Sequence, residues 1–475
     1  MNNETHVVPV EGKGSVDFIT LGSTGEIGAS CHYLYIDGVG IVLDVGQHPD
    51  EDGPAGLPRF ELLGEAQGRP LHHAIISHAH HDHLGALPVL TQYFPDVQVH
   101  MTPATRLLAD FLLPASARLQ QRRLKEGTTV HRPLFNEDIL EVVSGRYQTH
   151  PLETPFYLHA GNAAVRATFY HAGHVLGAAG VLLEDSKGRR IFYTSDTHLK
   201  GQTIQPGAEL PEGTVDVLLM EATLAADEEA ERTTRSEEEQ RFLEAIQRTI
   251  RRGGAVLIPV FALGRAQEML ALIDRFKRQG QLPEELPVYT AGSMRAIAEV
   301  YDHTRHTTPR RDPDFEVYGV WQKRVPRKER RMLETLKEPC IYLVSSGMMF
   351  ERTLSNRLAQ WMVEDERHSI LLVGYAKEDS PAARLLQARG QGVGTPVWLR
   401  KDDKPQPVHC DVERFRFSGH SHRYDLLEMV HRLRPEKVVI VHAEEEARTW
   451  MAAKIAEHFP ETRTYLPESG EPLSL

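Results

Sequence analysis

The residues most able to do chemistry stand together in Ser77-His78-Ala79-His80-His81-Asp82-His83. Four metal-ligand types occur there in an H-x-H-x-D-H spacing, directly after the apolar run Ala74-Ile75-Ile76. Where a strand passes into a loop, side chains alternate with period two, so His78 and His80 are expected on one side. The turn that follows can aim Asp82 and His83 at a second point a few ångströms away. Imidazole with carboxylate suits zinc, and two such points make a dinuclear site. The plain alternative is a polar surface loop that happens to be rich in histidine; the spacing weighs against it.

The elements that must position these residues read as an α/β layout. Strands are expected over residues 16–21, 32–36 and 41–45, the last two flanking the hairpin signal Asp37-Gly38-Val39-Gly40. Residues 74–77 lead into the histidine loop, and helical patterns follow at 84–93 and 105–124. Strand signals return at 165–170, 180–183, 191–194 and 215–220, which predicts two sheets packed together under helices. Beyond Glu221 residues 226–240 are strongly acidic. Strand and helix then alternate through 255–260, 266–278, 341–344, 357–362 and 370–373, the pattern of a second domain on a parallel sheet. The last pair, 438–441 and 444–458, fits either domain by pattern alone.

Composition bounds the answer. The 475 residues exceed one ordinary domain, and 41% hydrophobic with 25% charged residues is a globular balance. No apolar run reaches the ~18 residues of a membrane span, and the polar start, residues 1–14, is not a signal peptide. Cys31, Cys340 and Cys410 make neither a disulfide framework nor a C-x-x-C site, which suggests a reducing, cytoplasmic setting. Histidine is abundant, at 25 residues. A net charge of −12 opposes a nucleic-acid partner, because phosphate binding runs on Lys and Arg.

The histidine motif resembles the metallo-β-lactamase superfamily. Asp44 after Gly40-Ile41-Val42-Leu43, His174 in Ala172-Gly173-His174-Val175-Leu176-Gly177 and Asp196 in Phe192-Tyr193-Thr194-Ser195-Asp196 follow in the superfamily's order. That resemblance implies one zinc on His78, His80 and His174, and another on Asp82 and His83. Asp196 would bridge them, and Asp44 would orient ligands from behind. The second half resembles the β-CASP domain of the nucleic-acid-cleaving branch. The stretches that carry this run from Gly253-Gly254-Ala255 to Leu263-Gly264-Arg265-Ala266-Gln267-Glu268, then Ser345-Ser346-Gly347-Met348-Met349 and Gly374-Tyr375-Ala376-Lys377-Glu378. Gly25-Glu26-Ile27-Gly28-Ala29-Ser30-Cys31 fits the same branch. Its three further marks match Glu221, His420 in Phe417-Ser418-Gly419-His420, and His442 after Lys437-Val438-Val439-Ile440-Val441. By this resemblance His442 completes the second zinc, while His420 stands off the metals with Glu221 behind it. RNA-cleaving members carry histidine at the third mark, where DNA crosslink-repair members usually carry valine. Departures from the family pattern, such as Glu221-Ala222-Thr223-Leu224-Ala225, His422 and Phe350-Glu351, remove no ligand.

The implied fold is a metallo-β-lactamase αββα sandwich, residues 1–225 and 419–475, with an inserted β-CASP α/β domain of mainly parallel sheet over 226–418. The implied activity is a ribonuclease with two Zn2+ per chain (Mn2+ as a substitute), acting as an endonuclease, with 5′–3′ exonuclease action left open. Products would carry 5′-phosphate and 3′-hydroxyl ends. His420 is the expected general acid, held by Glu221, with Asp82 and Asp44 in the catalytic group. Ser345, Ser346, Gly347, Met348 and Arg265 are the expected phosphate contacts. Single-stranded RNA, a homodimer and no membrane complete the picture; a DNA nuclease or a small-molecule metallo-hydrolase are the competing readings. The charge objection weakens once the chain is divided, since residues 241–418 carry a net +7 and the remainder −19. Cations concentrate at Lys323, Arg324, Arg327, Lys328, Arg330 and Arg331, and again at Arg118, Arg122, Arg123 and Lys125. RNA binding is therefore expected to be local, salt-sensitive and confined to the cleft between domains.

Overall fold

The computed structural model describes residues 16–374 and 376–475; the polar start and Tyr375 lie outside the described residues. His32–Ile36 and Val39–Leu43 pair antiparallel across Asp37 and Gly38, whose φ values are 49° and 86°. This turn has two residues, tighter than the four-residue link expected, because Val39 already pairs with Ile36. Asp-Gly supplies the two left-handed conformations that match the twist of the flanking strands.

Two seven-stranded sheets stack on each other. The first runs Pro472–Ser474, Asp17–Thr20, His32–Ile36, Val39–Leu43, His73–Ile75, Gln98–Met101, Tyr147–Thr149. The second runs Arg463–Tyr465, Lys437–Val441, Val217–Glu221, Arg190–Tyr193, Ala179–Glu184, Ala163–His171, Phe156–Ala160. Side-chain alternation decides what each face buries. Val217 and Leu219 point inward to Leu34, Ile41 and Leu43 of the facing sheet. Leu218 and Met220 point outward, to Leu426, Val430 and Met451 of the helices Arg423–Leu433 and Glu445–His458. On the far side, helix Pro103–Lys125 covers the first sheet through Leu108 and Leu113, in a core continuous with Leu263, Met269 and Tyr301. The order is helix, sheet, sheet, helix.

A third sheet of six strands is parallel throughout: Lys323–Arg324, Val288–Thr290, Ile341–Val344, Val256–Pro259, Ser369–Leu372, Asp411–Arg414. The sandwich with an inserted parallel-sheet unit is the expected fold class. The pair left open by pattern belongs to the sandwich, because Lys437–Val441 lies parallel beside Val217–Glu221 with Leu218 opposite Val438. Several short strands give no signal in the sequence, Gln98–Met101 and Asp411–Arg414 among them. The helix expected over 84–93 is two pieces, His81–Leu84 and Leu87–Tyr93, interrupted at Gly85-Ala86. No helix of the described residues is long and apolar enough to cross a membrane.

Candidate metal centre

Three strand ends converge on one place, and each turns through a left-handed residue. Asp44 (φ 59°) follows Val39–Leu43, Ser195 (φ 55°) lies just beyond Arg190–Tyr193, and His442 (φ 46°) follows Lys437–Val441. A non-glycine residue in this region costs ~1–2 kcal/mol, and such residues gather where a site needs a sharp turn. Strand His73–Ile75 ends earlier than expected, because Ser77 donates its N–H and its hydroxyl to Asp44 at 2.7 Å each. His80 then precedes the single helical turn His81–Leu84, which carries Asp82 and His83. Gly46 allows this loop to close, since a Cβ there would stand 1.7 Å from the Asp82 carbonyl oxygen.

The side chains form two groups joined by one carboxylate. His80 Nδ1 is 3.1 Å from both His78 Nε2 and His174 Nε2. Asp196 Oδ2 lies 3.5 Å from His174 and 3.6 Å from His78. In the second group Asp82 Oδ2 is 4.0 Å from His83 Nε2 and 3.5 Å from His442 Nε2. Asp196 reaches this group too, with Oδ2 3.4 Å from His83 Nε2 and Oδ1 3.4 Å from His442 Nδ1. The seven residues predicted as ligands are thus brought together.

Tautomers follow from the outer partners. His174 Nδ1–H donates to the Gly419 carbonyl at 2.8 Å, and His80 Nε2–H to the Leu263 carbonyl at 3.4 Å. Ser77 has given its hydroxyl proton to Asp44, so it accepts from His78 Nδ1–H at 3.0 Å. All three inner nitrogens therefore carry lone pairs, and lone pairs 3.1 Å apart repel unless a cation lies between them. The edge of a tetrahedron of nitrogens around zinc is about 3.3 Å, given a Zn–N bond of about 2.0–2.1 Å. The second group carries the same sign: His83 donates Nδ1–H to Asp44 at 2.8 Å, and its Nε2, like His442 Nε2 and Asp196 Oδ1, is buried without a hydrogen-bond partner. These residues fit a metal in each group. Burial pushes His78 and His174 well below the usual imidazole range, which keeps them neutral as ligands must be. Burial alone would raise Asp196, but His442, His83 and His420 hold it well below the usual carboxylate range.

His420 stands beside the ligands. Its Nδ1–H meets Glu221 at 2.9 and 3.1 Å, and its ring centre is 4.6 Å from that of His174. Glu221 also accepts from the Thr197 N–H at 2.7 Å, which fixes the carboxylate. Burial opposes charge on His420, yet Glu221 and Asp196 outweigh it and push the ring up to about 9. A cavity of about 430 Å³ opens over the metal groups and reaches Phe261, Phe350, Lys377, Arg265 and Met348. Arg265 is buried and its Nη1 has no partner. Ser345, Ser346 and Gly347 do not line this cavity: Ser346 Oγ accepts from the Phe350 N–H, and Gly347 sits against the Phe261 ring.

Some supporting residues escaped the sequence reading. Tyr193 donates to Asp44 at 2.7 Å, and the Thr223 hydroxyl lies 3.1 Å from His442 Nδ1. Glu268 accepts the N–H groups of Thr203, Ile204 and Gln205 at 2.6–3.1 Å, tying helix Arg265–Arg278 of the insert to the loop after Asp196. Thr223 stands two residues from Glu221, a signal that could have been followed; nothing in the pattern marks Glu268 as a clamp.

Comparison with known proteins bears on this arrangement. The metallo-beta-lactamase superfamily model matches residues 24–235, the Beta-Casp domain model residues 266–385, and a model described as a Zn-dependent metallo-hydrolase RNA specificity domain residues 405–467. The chain belongs to the metallo-β-lactamase superfamily and, within it, to the Beta-Casp branch. Cleavage and polyadenylation specificity factor 73 of Drosophila melanogaster is 30% identical over 443 residues, covering 92% of this chain and 61% of that protein. Endoribonuclease YSH1 of Gibberella zeae is 27% identical over 517 residues, covering 100% of this chain and 59% of the other. The chain thus spans about three-fifths of the length of these relatives. A solved structure described as a protein of unknown function from Enterococcus faecalis V583 shares the fold, with a TM-score of 0.54 at 14% identity over 97% of this chain and 100% of that one.

Proposed function

We propose that this chain is a two-metal ribonuclease that hydrolyses single-stranded RNA to 5′-phosphate and 3′-hydroxyl ends. The carrying observation is the His420–Glu221 pair standing beside two converging ligand groups. His78, His80 and His174 would hold one Zn2+, and Asp82, His83 and His442 the other, with Asp196 shared. When bound, such a pair polarises a phosphodiester and lowers the pKa of water, chemistry worth several kcal/mol.

The chain's own residues do the rest. Glu221 keeps His420 protonated at Nδ1 and turns Nε2 toward the cleft, where it can give a proton to the departing O3′. Asp44 holds His83 and Ser77 in place. Arg265 brings a buried guanidinium, its Nη1 without a partner, to the wall beside His174, suited to a phosphate oxygen. RNA as substrate is supported by the names of the relatives and by histidine at position 442. The metal-bearing domain is proposed as residues 1–225 and 419–475 and the insert as 226–418, supported by the strands each sheet contains. The free, buried cysteines fit the cytoplasmic location proposed with it. The homodimer rests on the resemblance alone and is tested by sedimentation.

The test is cleavage of matched RNA and DNA oligonucleotides by zinc-loaded protein, with product ends mapped. The expected result is faster RNA cleavage leaving 5′-phosphate and 3′-hydroxyl. Equal rates on DNA overturn the substrate, since the 2′-OH is the only handle. Products ending in 2′,3′-cyclic phosphate overturn the mechanism, because they require attack by the ribose.

A further inference from the structure

One surface of the insert concentrates positive charge on a chain whose net charge is −12. Lys323–Arg324 is the edge strand of the third sheet, paired only with Val288–Thr290, and both side chains are exposed. Arg327, Lys328 and Arg331 follow within seven residues and are also exposed. Among the described residues none of these five has an ion-pair partner, whereas the neighbouring Arg330 pairs with Glu334 at 3.3 Å. Trp321, 49% exposed, stands two residues before Lys323.

Trp321 is held out rather than left loose. Val317 and Val320 are buried in the core of the insert, and the N–H groups of Val317 and Tyr318 bond Asp302 at 2.7 and 2.8 Å. Lys277, fixed by the carbonyls of Glu284 and Leu286, lies 4.9 Å from the Trp321 ring centre, and Lys323 lies 5.2 Å from it. Lysine on an edge strand guards against strand addition, and that accounts for Lys323. It does not account for an exposed indole, which makes an edge stickier. Nor does it account for cations that continue past the strand.

Unpaired cations spaced along a strip, next to an aromatic face, are what a single-stranded nucleic acid needs: phosphates take the cations and a base stacks on the ring. We propose that Trp321 with Lys323, Arg324, Arg327, Lys328 and Arg331 is a second RNA contact outside the metal cleft, holding the strand that flanks the cut. None of the six lines the cavity over the metal groups. The segment that leads to the strip is anchored beside the metal groups, however. Arg311 N–H bonds the Ile204 carbonyl and its guanidinium the Gln202 carbonyl at 2.9 and 2.8 Å, while Gln202 donates to the His174 carbonyl at 2.6 Å. Ten residues link Arg311 to Trp321, so the ring lies within about 36 Å of that anchor.

The proposal rests on the RNA reading above, and its test separates the two. Full-length zinc-loaded protein, the triple variant Lys323→Glu/Arg324→Glu/Lys328→Glu, and Trp321→Ala are compared on an RNA of about 8 nucleotides and one of about 40 sharing the same cleavage site. Expected for the triple variant is a KM on the long RNA raised by about tenfold or more, with kcat and the short RNA unchanged. Its log Kd against log salt slope should fall by about 2, from three lost phosphate contacts at about 0.7 each. Trp321→Ala should weaken long-RNA binding by about tenfold with the salt slope unchanged. An unchanged KM on the long RNA overturns the proposal, as does an equal loss on both lengths. If polyglutamate displaces the long RNA from the strip as well as unlabelled RNA does, the partner is an acidic protein and the RNA assignment fails. Should the parent protein cleave neither RNA, the ribonuclease reading fails; fluorescence anisotropy with the long RNA still decides the strip, which stands only if the triple variant binds about tenfold or more weakly.

Discussion

Two groups of histidines lie in the same sandwich and have opposite designs. His78, His80 and His174 have nitrogens 3.1 Å apart; so, at 3.0 Å, do His73, His100 and His150. In the first group the outer nitrogens are spent on Gly419, Leu263 and Ser77, and the inner lone pairs face one another. In the second the nitrogens pair in series. His73 Nε2–H goes to the His159 carbonyl, which leaves Nδ1 to accept from His100 Nε2–H, and His100 Nδ1 accepts from His150 Nε2–H. Each proton meets a lone pair, and none of the three forms an ion pair among the described residues. Distance between imidazoles therefore does not make a metal site; the fate of the outward nitrogen does. The second group also explains part of the histidine surplus that the ligands leave over.

The comparison breaks most visibly at Asp196, the residue shared by both metal groups. Asp196→Asn keeps the shape but removes the charge that joins them, and zinc content should fall in both groups. Activity should drop by more than the roughly 100-fold that loss of an outer partner costs. Retention of two zinc per chain by mass spectrometry under native conditions would falsify the shared-ligand role. Next in size is His420→Ala. Because its proton-bearing Nδ1 is already taken by Glu221, this change should leave metal content intact and lower the cleavage rate by roughly 10²–10⁴-fold. Release of a zinc would instead make His420 a ligand.

Asp44→Asn is a milder break. Its carboxylate accepts from the Ser77 N–H and hydroxyl, His83 and Tyr193 at 2.7–2.8 Å, and an amide can accept at only one of its two ends. Zinc affinity should fall about 10–100-fold, read by competition with a chelator. An unchanged affinity would mean that His83 needs no carboxylate behind it. Asp44 was legible in the sequence because it ends an apolar strand in the family's order. Tyr193 was not, since a tyrosine inside a strand looks like core, and only the stacking of the two sheets brings its hydroxyl to Asp44. The same limit hid the clamp made by Glu268, whose three donors lie more than sixty residues away in the chain. Local spacing carries His78, His80, Asp82 and His83, while His174, Asp196 and His442 were readable only through the order of the family's motifs. Their supports depend on contacts between sheets and between lobes, which no window of sequence contains. His73, His100 and His150 failed to register for a further reason: their spacing carries no period, and the strand holding His100 is only four residues long.

The smallest expected effect tests the other half of the comparison. Burial lowers His73 to about 4 and His100 to about 3, and it lowers His150 as well. A histidine whose folded pKa lies below its unfolded value of about 6.5 takes up its proton more readily when unfolded. Its contribution to stability is therefore complete above pH ~6.5 and is lost as the pH falls toward the folded value. Between those limits the well-buried His100 ring costs up to about 1.4 kcal/mol per pH unit. His100→Phe places an apolar ring beside Phe156 and removes one titrating group. Denaturant unfolding of the variant between pH 6.5 and 4.5 should lose stability less steeply than the parent, by about 1.4 kcal/mol per pH unit, with zinc content at pH 7.5 unchanged. The metal-site histidines titrate alike in both proteins and drop out of the difference. Parallel stability curves would show that His100 is not held neutral by the fold, while loss of zinc would join the two groups that their hydrogen bonds keep apart.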